Sequence, residues 1–270
     1  MPFVTVAKDV QLNYRVAGAG PTLLFHPGFA NNLDLWNWVV RELAPTRTCV
    51  TFDPRGHGQS DKPDSTYTID ELATDVHALI EALDLSELTL VGHSLGGAVA
   101  LQTVLEHDRE RVRKVALLAP AAPCFLRQEG MELGMPPDVF AKMRTDMADN
   151  FVARMLGVRS VFFHQTDEQT ALWLMSKTLD MPMHLAERCF AQLGTIDFRS
   201  RLKEIDVPVL AVWGVHDQMA DLRWVQWLRD QELPAWTVEM LDHSGHAPMV
   251  DEPVAVADRL RRFTASTDVA

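Results

Sequence analysis

Ser94 lies between glycines in Gly92-His93-Ser94-Leu95-Gly96, after the β-forming run Leu88-Thr89-Leu90-Val91 and before a run of small helix-tolerant residues. A serine hydroxyl is a poor nucleophile at neutral pH. It needs a base to take its proton, and the base needs an acid to fix its tautomer and stabilise its charge. The G-x-S-x-G spacing suits a sharp strand-to-helix turn, because bulky residues two positions either side would collide with the strand and helix that it joins.

If Ser94 is such a nucleophile, its partners belong on loops that leave the carboxyl ends of later strands, the acid before the histidine. Gly214-Val215-His216-Asp217 follows one apolar run, and Leu241-Asp242-His243-Ser244-Gly245-His246 follows another. Asp217 and His246 are therefore the expected acid and base, with His216 and Asp242 as second choices one position away. His243 and His246 could in principle share a metal, but no further ligands are spaced to help, and H-E-x-x-H does not occur. No metal and no cofactor is expected. His77, His107, His164 and His184 fall in or beside helical segments, and position suggests no acid partner for any of them. A neutral imidazole is required of the base, so activity is expected to decline below about pH 6 to 7.

The elements that must position these residues alternate in type. Phe3 to Val6, Leu12 to Val16, Thr22 to His26, Cys49 to Phe52, Leu88 to Val91, Val115 to Ala119, Val209 to Trp213 and Trp236 to Met240 read as strands. Helical spacing marks Leu35 to Leu43, Ile69 to Leu83 with Thr68 as cap, Ser94 to Glu106, Leu222 to Leu233 and Val254 to Thr264. Continuous apolar strands separated by helices predict an α/β fold with a mostly parallel central sheet. Residues from about 121 to 203 break the alternation: Val139 to Leu156, Glu168 to Leu179 and Leu185 to Leu193 read as helices without a strand between them. The expected organisation is a core of residues 1–120 and 204–270 interrupted by a helical lid, 121–203. That insertion holds eight of the 12 methionines and seven of the 12 phenylalanines. The bland reading makes them its own core, but Met repacks around varied shapes, so a roof over an apolar pocket is the stronger one.

At 270 residues the chain can bury a large core. Its formal net charge of -12 disfavours nucleic acid and anionic membranes as partners. No window nears the ~18 apolar residues of a spanning helix, and the first residues resemble neither a signal peptide nor an anchor. Three widely spaced cysteines, Cys49, Cys124 and Cys189, make no disulfide or zinc pattern. A cytoplasmic protein is the expectation.

Over nearly its whole length the sequence resembles the α/β-hydrolase superfamily. The likeness rests on the Ser94 turn, on Gly214-x-x-Asp217, on Gly245-His246 with Glu252-Pro253 downstream, on Asp53-Pro54-Arg55-Gly56-His57-Gly58-Gln59-Ser60-Asp61, and on His26-Pro27-Gly28-Phe29. The last resembles the family's oxyanion loop, with a proline separating His26 from Gly28. The resemblance implies that the backbone N–H groups of Phe29 and Leu95 form an oxyanion hole, and that the Asp53 to Asp61 loop is chiefly structural. Serine at position 94 disfavours the dehalogenases and soluble epoxide hydrolases of this fold, which carry aspartate there. The insertion resembles the lids of small bacterial esterases and non-haem chloroperoxidases. A small hydrophobic ester or lactone is the implied substrate, with C–C hydrolysis of a diketone, peroxyacid formation or slow-turnover ligand sensing as the alternatives.

Overall fold

The structure is a computed structural model that describes residues 2–265. Eight strands, β1 (Phe3–Ala7), β2 (Val10–Ala17), β3 (Thr22–His26), β4 (Thr48–Phe52), β5 (Leu88–His93), β6 (Val112–Leu118), β7 (Val209–Gly214) and β8 (Trp236–Leu241), form one sheet in the order β1-β2-β4-β3-β5-β6-β7-β8. The β1–β2 and β2–β4 pairs are antiparallel, and every pair from β4 to β8 is parallel. The helices in chain order are α1 (Asn37–Leu43), α2 (Ile69–Ala82), α3 (Leu95–Glu106), α4 (Pro137–Asp149), α5 (Phe151–Gly157), α6 (Arg159–Phe162), α7 (Glu168–Lys177), α8 (Met183–Gln192), α9 (Arg223–Arg229), α10 (Pro248–Asp251) and α11 (Pro253–Ala265).

The period-two geometry of a strand divides the central residues between the two faces. Leu24, Leu90, Val115, Leu117, Val209 and Ala211 pack towards Leu72, Val76 and Leu79 of α2 and Val99 of α3. Their neighbours Leu23, Phe25, Val91, Ala116, Leu118, Leu210 and Val212 pack on the other side with Trp36, Val39 of α1 and Val256, Leu260 of α11. Both faces are covered, which is why these strands read as unbroken apolar runs rather than as alternating ones. The stripe expected on α2 is buried as read, and Thr68 caps it by accepting a hydrogen bond from Glu71 N–H.

Between β6 and β7 the chain runs through α4 to α8. The single helix expected over Val139 to Leu156 is two helices. Asn150 breaks it at φ −150°, ψ 67°, and its side-chain oxygen accepts from Ala153 N–H to start α5. Short polar side chains offer the backbone this alternative to a continued helix, and apolar periodicity does not reveal it. The strand expected over Val115 to Ala119 starts earlier, at Val112, because Val112 and Lys114 pair with Leu88 and Thr89 of β5 across an irregularity at Arg113, although the two charged residues interrupt its apolar run. Helix α9 ends at Arg229, short of the expected Leu233.

Candidate active site

The loops that leave β3, β5, β7 and β8 converge at the carboxyl edge of the sheet. Ser94 follows β5 directly, with φ 52° and ψ −118°, a region that L side chains rarely occupy. The turn is fastened on both sides: Ser94 N–H donates to the Leu118 carbonyl at 3.1 Å, and the Ser94 carbonyl accepts from the N–H groups of Gly97 and Ala121 at 2.9 Å each. The glycines are needed for close approach. A Cβ on Gly92 would lie 2.2 Å from the Gly96 carbonyl oxygen, and one on Gly96 would lie 2.5 Å from that of His26.

Asp217 and His246, read from separate loops, meet: His246 Nδ1 lies 2.8 Å from Asp217 Oδ2, and both side chains are buried. Asp217 Oδ1 accepts from the N–H groups of Met219 and Ala220 at 2.8 and 3.0 Å. Burial alone would raise the Asp217 carboxyl, but the adjacent His246 ring and the two N–H donors outweigh it and hold the group below its ordinary value. With Asp217 as acceptor, Nδ1 of His246 carries the proton and Nε2 is left with a free lone pair, as a base requires. Ser94 and His246 both line one cavity, and no hydrogen bond joins their side chains among the described residues. The second choices stay apart: His216 stacks on His164 at 3.7 Å between ring centres, while Asp242 is exposed, as is His243 beside it.

The loop after β3 carries Phe29, which also lines the cavity. Leu95 is the first residue of α3, where the helix's own bonding leaves the backbone N–H free. The Asp53 to Asp61 loop props this region. His57 Nδ1–H donates to the Arg55 carbonyl at 2.7 Å, which leaves Nε2 to accept from Ala30 N–H at 3.1 Å, and Asp53 Oδ1 accepts from Leu33 N–H at 2.8 Å. Arg55 in turn is buried against Asp75 and Glu71 of α2.

Several contacts at the site have no signature in the spacing of the chain. His93, the residue before Ser94, donates through Nε2–H to the His246 carbonyl at 2.9 Å, and its ring lies 5.0 Å from that of His246. It thus ties the histidine loop to the serine turn. Asp251 accepts from the N–H groups of His164, Gln165 and Thr166, from the Thr166 hydroxyl and from Gly245 N–H, over distances of 2.7 to 3.1 Å. Its carboxylate therefore joins the helical insertion to the residue before His246. Glu252 accepts from His243 N–H and the Ser244 hydroxyl in the same loop. The Glu252-Pro253 match in the sequence pointed at this segment, but not at its neighbour's bonds. His77 and His107 do have acid partners, Asp108 at 3.2 Å and Asp70 at 3.1 Å, because α2 packs against α3; neither lines the cavity.

The cavity measures about 690 Å³ and is walled mainly by apolar side chains. Five of the eight methionines of residues 121–203, Met135, Met143, Met147, Met155 and Met175, line it. Phe190 and Val161 of the insertion face it together with Trp213 at the end of β7.

A family model for the alpha/beta hydrolase fold matches residues 21–253, the span that carries every loop just described. The chain belongs to the α/β-hydrolase fold family. Within it the chain is 31% identical to a non-heme chloroperoxidase of Streptomyces lividans over 231 residues, 81% of this chain and 83% of that one. An esterase from Exiguobacterium antarcticum superposes with a TM-score of 0.92 at 25% identity, over 98% of this chain and 99% of the other. Est816, described as an N-acyl homoserine lactone degrading enzyme, superposes at 0.80 with 25% identity, over 97% of this chain and all of its own, 100%. The α/β-hydrolase fold thus brings with it esterase, lactonase and haloperoxidase relatives.

Proposed function

We propose that the protein is a serine hydrolase that cleaves a carboxylic ester or lactone through an acyl-enzyme. The observation that carries the reading is Ser94, held at positive φ in the wall of an apolar cavity that is also lined by His246, itself paired with Asp217. Ser94 Oγ attacks the carbonyl carbon while His246 Nε2 takes its proton, and Asp217 holds the ring and stabilises the imidazolium. The tetrahedral oxyanion lies between the N–H groups of Phe29 and Leu95, each such donor being worth ~3 kcal/mol. His246 then returns the proton to the departing alcohol, and water, activated by the same ring, releases the acid. The helices of residues 121–203 act as a lid whose methionines shape the acyl or lactone site. The esterase and lactonase relatives support this choice of bond.

A short pulse of a p-nitrophenyl ester, quenched and analysed by peptide mass spectrometry, tests the covalent step. An acyl adduct on the peptide that contains Ser94 is expected; an adduct elsewhere, or turnover without one after trapping in Ser94→Ala, overturns it. The chloroperoxidase relative favours one second reading. Attack on the acyl-enzyme by hydrogen peroxide in place of water would release a peroxyacid, detectable as ester- and peroxide-dependent oxidation of a halide.

A further inference from the structure

Among the described residues, the cavity wall carries one formal charge without a counter-charge. Besides His246, its charged residues are Asp221 and Arg154. Asp221 is neutralised by Arg223 at 2.6 Å and accepts from Gly134 N–H at 2.9 Å. Arg154, on α5, is half-buried, and its side chain makes no ion pair or hydrogen bond among the described residues. Two other cations of the insertion that do not line the cavity are paired: Lys142 with Asp146, and Arg159 with Glu168. In a chain with a net charge of -12, an unneutralised guanidinium beside an apolar cavity is out of keeping with its surroundings.

A neutral apolar ligand that fills the cavity strips water from Arg154 and offers nothing in return. A carboxylate at the same point replaces that water with two parallel charge-assisted hydrogen bonds, for which the guanidinium fork is shaped. The position of Arg154 relative to the chemistry sets the spacing. Phe162 packs its ring 5.2 Å from that of His246, and eight residues of near-helical chain separate it from Arg154. At ~1.5 Å of rise per residue the two lie within about 12 Å of each other.

We propose that Arg154 receives a carboxylate on the substrate, so that the preferred substrate is an ester or lactone whose apolar chain of medium length ends in a carboxylate. The proposal rests on the hydrolase reading of Ser94. It also gives the cavity a direction: the scissile carbonyl lies at Ser94, the methionines surround the chain, and the anionic end lies at α5.

The test compares two p-nitrophenyl esters of equal chain length, one ending in a carboxylate and one in a methyl group, with wild type, Arg154→Leu and Arg154→Lys. The readout is the ratio of kcat/KM for the charged ester to that for the neutral one. It is expected to fall on the order of tenfold or more in Arg154→Leu, mainly through KM. Arg154→Lys, which keeps the charge and loses the fork, is expected to restore part of the ratio, and added salt to lower it in wild type. A ratio unchanged by Arg154→Leu, or an equal loss on both esters, overturns the proposal and leaves the hydrolase reading intact. Calorimetric binding of the free α,ω-dicarboxylic acid separates the two claims. If neither ester acylates Ser94 but wild type still binds the diacid at least tenfold more tightly than Arg154→Leu does, the hydrolase reading falls and Arg154 stands as the anion site.

Discussion

Ser94 occupies φ 52° and ψ −118°, and a non-glycine residue in such a region stores ~1–3 kcal/mol of backbone strain. The hydrogen bonds to Leu118, Gly97 and Ala121 hold it there. Ser94→Gly removes the strain and the hydroxyl together. Its denaturation midpoint is expected to match or exceed that of wild type while ester turnover disappears; a loss of more than about 1 kcal/mol would contradict the strain argument. Asp217 acts at one remove, through the tautomer of His246. Asp217→Asn should keep the fold and lower kcat by ~10⁴, as the amide favours the wrong tautomer. That Asp217 meets His246, and that His246 shares a cavity wall with Ser94, was legible because each of the three sits just past an apolar run. His93 and Asp251 were not, since what they do is mostly to donate to or accept from backbone atoms, and backbone partners leave no mark on residue spacing.

At the scale of elements, the sheet order sets the chemistry. β3 and β5 are neighbours, with His26 paired to Gly92, so the Phe29 loop and the Ser94 turn start side by side. β7 and β8 are paired through Gly214 and Leu241, so the acid and histidine loops also start together. The central strands were legible to within a few residues because both of their faces are buried, and the outer ones, β1 and β8, from their β-rich composition. The break at Asn150 was not, because a side-chain cap decides it rather than the apolar stripe, and α6, four residues long, is too short to show a helical period. Asp251 is one of the residues that tie the insertion to the core. Asp251→Ala strips five donors of their acceptor, several of them near solvent, so a destabilisation of about 2–3 kcal/mol is expected in urea denaturation. The Gly245 bond is lost with it, so kcat on a small ester should fall as well. Unchanged stability and turnover would show that this carboxylate joins nothing that matters.

For the molecule as a whole, three buried histidines make acid a specific threat. Burial pushes the imidazoles of His26 and His93 down to about 3 and that of His57 to about 4, from an ordinary value of 6.5. Each therefore binds a proton more readily in the unfolded chain, and unfolding takes up protons as pH falls from 6.5 towards those values. The stabilisation from keeping them neutral is whole above that range and is lost progressively within it. Summed over the three, about 4 kcal/mol should go between pH 7 and pH 5.5. Urea midpoints at the two pH values check this, and an equal midpoint would refute it. Composition and charge bounded the class of molecule, and the excess of Met and Phe in residues 121–203 pointed to the cavity that five of those methionines line. That Arg154 lines the cavity without a partner among the described residues was not legible, since being unpaired is a property of the folded neighbourhood. No helix among the described residues is long and apolar enough to cross a membrane. The central claim is that this cavity performs acyl transfer at Ser94. Its most direct test is kcat/KM on a p-nitrophenyl ester for wild type and Ser94→Ala. A loss of ~10⁴-fold or more is predicted; turnover close to that of wild type in Ser94→Ala would contradict the account.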